Sequence, residues 1–216
     1  MIWRTILPVV GLLAAGCAMN PTWVEDSVTI DQLRASNKGV VILLISIERC
    51  NYITAQFAQP DGNGQWVTTD KGSVNLKLLG GNLPDEPSQI TLDAGEYGFV
   101  HLTCDAGTSK HHFRTKPVER GNILSGSGFV YERPFASFSV GPGEVIDIGM
   151  LEFLTRQEGP FLQARDVFRT VVKPIPESSL RKLAARKPNI YAARVVRLAK
   201  VPPPAGPRPR AFAGAA

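Results

Sequence analysis

Three histidines and a cysteine fall close together, in His101-Leu102-Thr103-Cys104 and His111-His112, and these are residue types that hold zinc or copper. Their spacing argues against a metal site. On a regular strand His101 and Cys104 point to opposite faces, the adjacent His111 and His112 diverge, and no second spaced pair completes four ligands. Glu96 and Glu144 each follow a turn glycine and would supply acid–base chemistry if they met, but glutamates in such turns face solvent. Ser125-Gly126-Ser127-Gly128 lacks the glycine spacing of a nucleophile elbow, and Gly121 to Gly128 lacks the lysine of a phosphate loop. Asp61-Gly62-Asn63-Gly64-Gln65 begins like a calcium loop, yet Trp66 stands where a glycine is needed and the distant glutamate is missing. All three read as turns. No nucleophile, base and oxyanion donor assemble, and neither a metal nor a cofactor is expected.

The elements that would carry these residues are mostly strands. Gly39 to Cys50 (GVVILLISIERC) holds six consecutive apolar residues, largely β-branched, and reads as a strand covered on both faces. Alternation continues over Asn51 to Gln59, the turn at Asp61 to Gly64 makes Gln65 to Thr69 the return strand, and Ser73 to Leu79 alternates again. Two segments rhyme: Ile90 to Val100 and Phe138 to Ile148 share strand, Gly-Glu turn and strand, with Gly95 and Gly143 supplying the turns. A strand interrupted by Pro134 covers Phe129 to Phe138, and a further strand covers Phe161 to Val172. The fold class is therefore mainly β, an antiparallel β-sandwich or partly open barrel, with a short C-terminal helical segment. In that segment Ser178 or Ser179 caps a helix over Leu180 to Arg186, Pro188 ends it, and a second helix runs from Asn189 to about Lys200. Val201 to Ala216 is rich in Pro, Ala and Gly and reads as disordered.

Charge is divided between the two parts of the chain. From Ala164 onward there are twelve Lys or Arg against Asp166 and Glu177, a net +10, whereas Cys17 to Gln163 carries 11 basic and 17 acidic residues, a net −6. The basic end is suited to anionic partners, and Arg181, Lys182, Arg186, Lys187, Arg194 and Arg197 are the contact candidates. The alternative is a solvated basic face that keeps the protein soluble.

At the N-terminus Arg4 and the terminal amine precede an apolar stretch, Ile6 to Ala15, too short for the roughly 20 residues that span a bilayer. A short positive region, an apolar centre and small residues at the exit form a secretory signal peptide. Ala14-Ala15-Gly16-Cys17 resembles the lipobox of bacterial lipoproteins, with Ala14 at the usual leucine position and Leu13 one place further back. The resemblance implies cleavage before Cys17 and a diacylglycerol on its sulfur. In lipoproteins of bacteria with two membranes an Asp after the cysteine favours retention in the inner membrane; here Ala18 implies the outer membrane, facing the periplasm. The paired L-x-A-G-E-Y (Leu92 to Tyr97) and V-x-P-G-E-V-I-D-I-G (Val140 to Gly149) patterns resemble those of bacterial lipoproteins with a small β-sandwich domain.

In an oxidising periplasm the remaining pair, Cys50 and Cys104, reads as a disulfide, the alternative being two buried free thiols. The expected organisation is a signal peptide (1–16), a lipidated linker (17–38), a β-sandwich (39–173), a basic helical segment (174–200) and a Pro/Ala-rich tail (201–216). The expected role is a lipid-anchored binding or scaffolding module of the cell envelope. Its partners would be the membrane together with an envelope protein, cell-wall polymer or anionic lipid; nucleic acid is disfavoured by compartment. The rival is an envelope hydrolase or metal-dependent enzyme that uses His101, His111 or His112 with Glu96 or Glu144.

Overall fold

The computed structural model describes residues 22–25, 27–47, 50, 52–77, 86–105, 107, 110–115, 117–121, 128–158 and 165–203. In chain order the elements begin with β1 (Thr22–Trp23), α1 (Ile30–Ala35), β2 (Lys38–Ile47), β3 (Tyr52–Pro60), β4 (Trp66–Lys77) and β5 (Ser88–Asp93). Next come β6 (Gly95–Asp105), β7 (Lys110–Arg114), β8 (Pro117–Glu119), β9 (Val130–Tyr131), β10 (Ala136–Val140) and β11 (Val145–Glu158). The chain closes with β12 (Arg165–Lys173), α2 (Glu177–Arg186), α3 (Pro188–Ala192) and β13 (Arg194–Val196).

The strands build two sheets. One is ordered β1-β5-β2-β11-β12 with β13 also on β11; the other is ordered β10-β6-β3-β4-β9-β8 with β7 also on β6. The second sheet is antiparallel and curls into a half-barrel, so the mainly β fold with short helices near the C-terminus is as the sequence indicated. The first sheet is mixed: β2 and β13 both lie parallel to β11, through Val145↔Val40 and Val145↔Arg194. A parallel pair needs a long crossover. Here the second sheet itself supplies it between β2 and β11.

Every residue from Val40 to Ile45 is essentially inaccessible, so β2 is covered on both faces as its composition demands. Val41, Leu43, Ile45 and Ile47 face the second sheet and join Phe57, Phe99, Leu102, Phe138 and Leu151 in the main core. The alternate residues Val40, Ile42 and Leu44 pack outward against Val24, Leu33, Ile175, Leu180, Leu183 and Ile190. Period-2 alternation along one strand thus feeds two cores. Within the main core Phe57 touches Phe99 at 4.8 Å between centroids, with Tyr97 and Phe138 around them.

A bulge shifts β6 by one residue: Phe57 pairs Phe99 and the preceding Gln56 pairs His101, leaving Val100 as the extra residue. Phe99 and Leu102 therefore both point into the core. Cys104 does too, and it is bonded to Cys50 with the two Cα atoms 5.6 Å apart.

Several local expectations change. The two strands expected over Gln65 to Thr69 and Ser73 to Leu79 are one strand, β4 (Trp66–Lys77), which stays paired with β3 on both sides of a bulge; Leu78 and Leu79 lie outside the described residues. Residues 22–38, read as linker, include β1 on the edge of the first sheet and α1, whose Thr29 and Gln32 form a capping box and whose Leu33 is buried. The first C-terminal helix starts at Glu177 after Pro176, without a serine cap. The second ends at Ala192, because the open edge of β11 takes Arg194–Val196 as a strand and β-branched Val195 and Val196 suit it. Of the Pro/Ala-rich tail, positions 204–216 lie outside the described residues, as does the signal peptide.

Replacing both Cys50 and Cys104 by Ala should lower unfolding stability by about 4 kcal/mol for a link with a sequence separation of 54, on the chain-entropy account. Urea denaturation of the double variant against the oxidised parent measures this.

Candidate functional site

The basic C-terminal segment is the largest sequence-predicted site, and its cations are mostly spoken for. Arg194 begins β13, and its Nη1 lies 2.7 Å from Asp147 Oδ2. Asp147 is only 2% exposed; its other oxygen accepts the Gly149 N–H at 2.9 Å. Burial raises the Asp147 pKa, and the Gly149 N–H and Arg194 offset part of that rise. The Arg194 guanidinium also sits 4.9 Å over the Tyr191 ring. Arg197 pairs with Glu144, whose other hydrogen bond comes from the Gly141 N–H. Burial raises the Glu144 pKa, but Arg197 and that N–H outweigh it and hold the carboxyl below its usual range.

Backbone bonds continue the attachment. Arg197 N–H donates to Asp147 O at 2.9 Å, Ala199 N–H to Ile148 O at 3.0 Å, and Lys200 exchanges two bonds with Ser137 of β10. Arg133 then holds Pro203 O at 2.9 Å. Residues 194–203 are thus a strap that starts on the first sheet and ends on the second. Upstream, Arg186 pairs with Glu86 and Lys187 donates to Val24 O. Lys182 also has an interaction within the chain, and Arg181 is exposed on α2. The strap instead presents apolar groups to solvent: Val195, Val196, Leu198 and Val201. Sequence reasoning missed this exposed stripe, whose signal was the β-branched pair inside a segment read as helix.

The histidines only partly converge. Past the β6 bulge His101 and Thr103 share the outer face, and Thr103 pairs across to His112 on β7. His101 Nε2 and His112 Nδ1 lie 3.2 Å apart, with Thr103 Oγ1 3.4 Å from the same His112 nitrogen. Burial first, then the neighbouring His112 and Arg114, pulls the His101 pKa down to about 4. The side chain of His111 lies outside the described residues. Glu96 is exposed five residues from His101 along β6, about 16 Å on an extended strand, while Glu144 is engaged by Arg197. Among the described residues no three His, Cys, Asp or Glu side chains meet. Glu96 and Glu144 are therefore not brought together with His101 and His112.

An open groove of about 390 Å³ lies among α1, the segment that follows β1, the start of β2 and β5, lined by Glu25, Ser27, Val28, Gln32, Leu33, Ser36, Lys38 and Thr91. Cys17 lies outside the described residues, and among those described no helix is long and apolar enough to cross a membrane. No family model, curated protein or solved structure matches the chain.

Two outcomes follow from this geometry. Arg194→Ala leaves a buried carboxylate unpaired and should cost about 3–5 kcal/mol in urea denaturation, whereas Arg181→Ala should stay within about 0.5 kcal/mol. The NMR titration of His101 should have its midpoint near 4, against the ordinary 6.5. Because the unfolded chain binds that proton first, stability should fall as pH drops from 6.5 towards 4, and His101→Gln should flatten the slope in that window.

Proposed function

We propose that this protein is an envelope lipoprotein: the signal is removed before Cys17, a diacylglycerol is joined to the Cys17 sulfur, and the β-domain acts as a binding or scaffolding module on the periplasmic side of the outer membrane. The observation that carries this reading is Ala14-Ala15-Gly16-Cys17 at the end of a short apolar leader. Ala18 in place of Asp supports the outer-membrane address, and the Cys50–Cys104 bond suits an oxidising compartment. Each buried CH₂ of an acyl chain contributes about 0.8 kcal/mol, so two or three chains hold the protein on the bilayer without a transmembrane helix.

The mechanism is confinement. A domain held in two dimensions meets its partners at a high effective concentration, and weak contacts suffice. The separation of Glu96 and Glu144 from the His101–His112 pair favours binding over hydrolysis. Arg186, Lys187, Arg194 and Arg197 are engaged within the chain, which favours an envelope protein or cell-wall polymer over an anionic lipid as the partner. The exposed Val195, Val196, Leu198 and Val201 of the strap offer that partner an apolar contact.

Labelled palmitate supplied to bacteria producing the full chain should enter the protein, which should fractionate with the outer membrane. Cys17→Ser should be unlabelled and recovered in the soluble fraction. A parent protein that takes up no label, or a Cys17→Ser protein that stays with the membrane, contradicts the reading.

A further inference from the structure

A lipid on Cys17 leaves five residue spacings before Thr22, the first residue of β1, and an extended chain covers at most about 18 Å over that length. Register sets the direction in which this short tether leaves the domain. Thr22 pairs with Thr91 and Trp23 with Ile90, antiparallel, so the chain enters from the end where β5 finishes at Asp93. Thr22 is level with Thr91, two residues or about 7 Å short of that end.

Four connections share this end. The Asp93-Ala94-Gly95 corner leads into β6, and Gly95 pairs with Val140, the last residue of β10. The turn from β10 to β11 follows, with Gly143 N–H donating to Lys38 O at 2.7 Å, and Asn37 sits beside it at the start of β2. The loop from Asp61 to Gln65 completes the set, since a Cβ on Gly95 would lie 3.4 Å from Gln59 of β3. At the other end lie the Cys50–Cys104 bond and the Tyr52↔Lys77 and Tyr52↔Asp105 pairs. There β2 stops at Ile47, opposite Phe153, while β11 and β12 stay paired from Leu154↔Arg169 to Glu158↔Arg165. Those last rungs form an arm past β2.

Val40 is level with Thr91, and from Val40 to Ile47 is about 23 Å; the arm adds about 16 Å more. Standing on its arm, the domain would hold Thr22 about 39 Å above the bilayer, out of reach of a tether of about 18 Å. We infer that the end carrying the 61–65 loop, the 93–95 corner and the 141–144 turn faces the phospholipid surface, and that the disulfide end with its β11–β12 arm points away from it. This rests on the lipid anchor proposed above.

The exposed residues at the membrane end include Asp61, Asn63, Asp93, Glu96 and Pro142, together with Arg34, which packs against Gly143, and Arg197, which pairs with Glu144. None of these is a large apolar side chain, and acids and cations are mixed among them, so this end meets headgroups without inserting. The covalent tether does the holding. The arm is then the part of the domain presented to partners off the membrane.

The test uses the full lipidated chain in phosphatidylcholine vesicles containing a lipid with a spin-labelled headgroup. A fluorophore is attached at Asn63→Cys or, separately, at Arg169→Cys on the arm. Asn63 should be quenched several-fold relative to vesicles without the spin label, and Arg169 should be unchanged. Inserting about 20 Gly/Ser residues between Asn20 and Pro21, a flexible span of roughly 25 Å, should remove the difference. Equal quenching of the two sites, or stronger quenching at Arg169, in protein that floats with the vesicles overturns the orientation and leaves the anchor standing. A chain that neither carries the mass of a lipid nor floats overturns both.

Discussion

One strand with no polar face governs the architecture. From Val40 to Ile45 every side chain of β2 is apolar and removed from water, so the molecule has to provide cover on two sides. On one side the curled sheet brings Phe57, Phe99 and Leu102 against Val41, Leu43 and Ile45. On the other, Val24, Leu33 of α1, Leu180 and Leu183 of α2 and Ile190 of α3 close over Val40, Ile42 and Leu44. An amphipathic strand would have been content with one neighbour. The helical layer exists because this one is not amphipathic, and the N-terminal edge is recruited into it as well.

The same constraint accounts for the way the C-terminus ends. Once α2 and α3 are laid over the first sheet, the chain emerges beside the free edge of β11, where unpaired backbone groups wait for a partner. The strap takes that edge and carries on to Ser137 in the second sheet. The Asp147–Arg194 pair sits at the start of this path. Buried ion pairs add little net stability when desolvation is counted, but removing one partner is costly. Arg197 on Glu144 repeats the arrangement nearer the surface. Lys173, Arg186, Arg194 and Arg197 of the basic end are thus each paired with an acid of the β-domain, namely Glu152, Glu86, Asp147 and Glu144.

The bulge at Val100 shows how one inserted residue decides local chemistry. Without it, Phe99, His101 and Cys104 could not take the faces they do: Phe99 and Cys104 inside, His101 outside next to His112. The histidine pair that results is a hydrogen-bonded couple on a sheet face, with Arg114 near it and without carboxylates brought to it among the described residues. The low affinity of His101 for protons reflects partial burial more than any partner.

Short-range chemistry was readable from the residues themselves. Hydrophobic period and turn glycines identified most of the strands between Gly39 and Leu154, though not β7 and β8, and the cysteine count suggested the bond between Cys50 and Cys104. These features depend on neighbours a few residues apart, or on the number of reactive groups present, and no folding is needed to evaluate them. The partners of the basic segment were not readable. Arg194 finds Asp147 across 47 residues and Lys187 finds Val24 across 163, and no periodicity encodes such distances. The parallel seating of β11 on β2, the conversion of Arg194–Val196 from expected helix to strand, and the docking of residues 22–38 were likewise decided by open edges and uncovered faces that exist only after the sheets have formed. Local propensity is weak there, and tertiary contacts worth several times more overrode it.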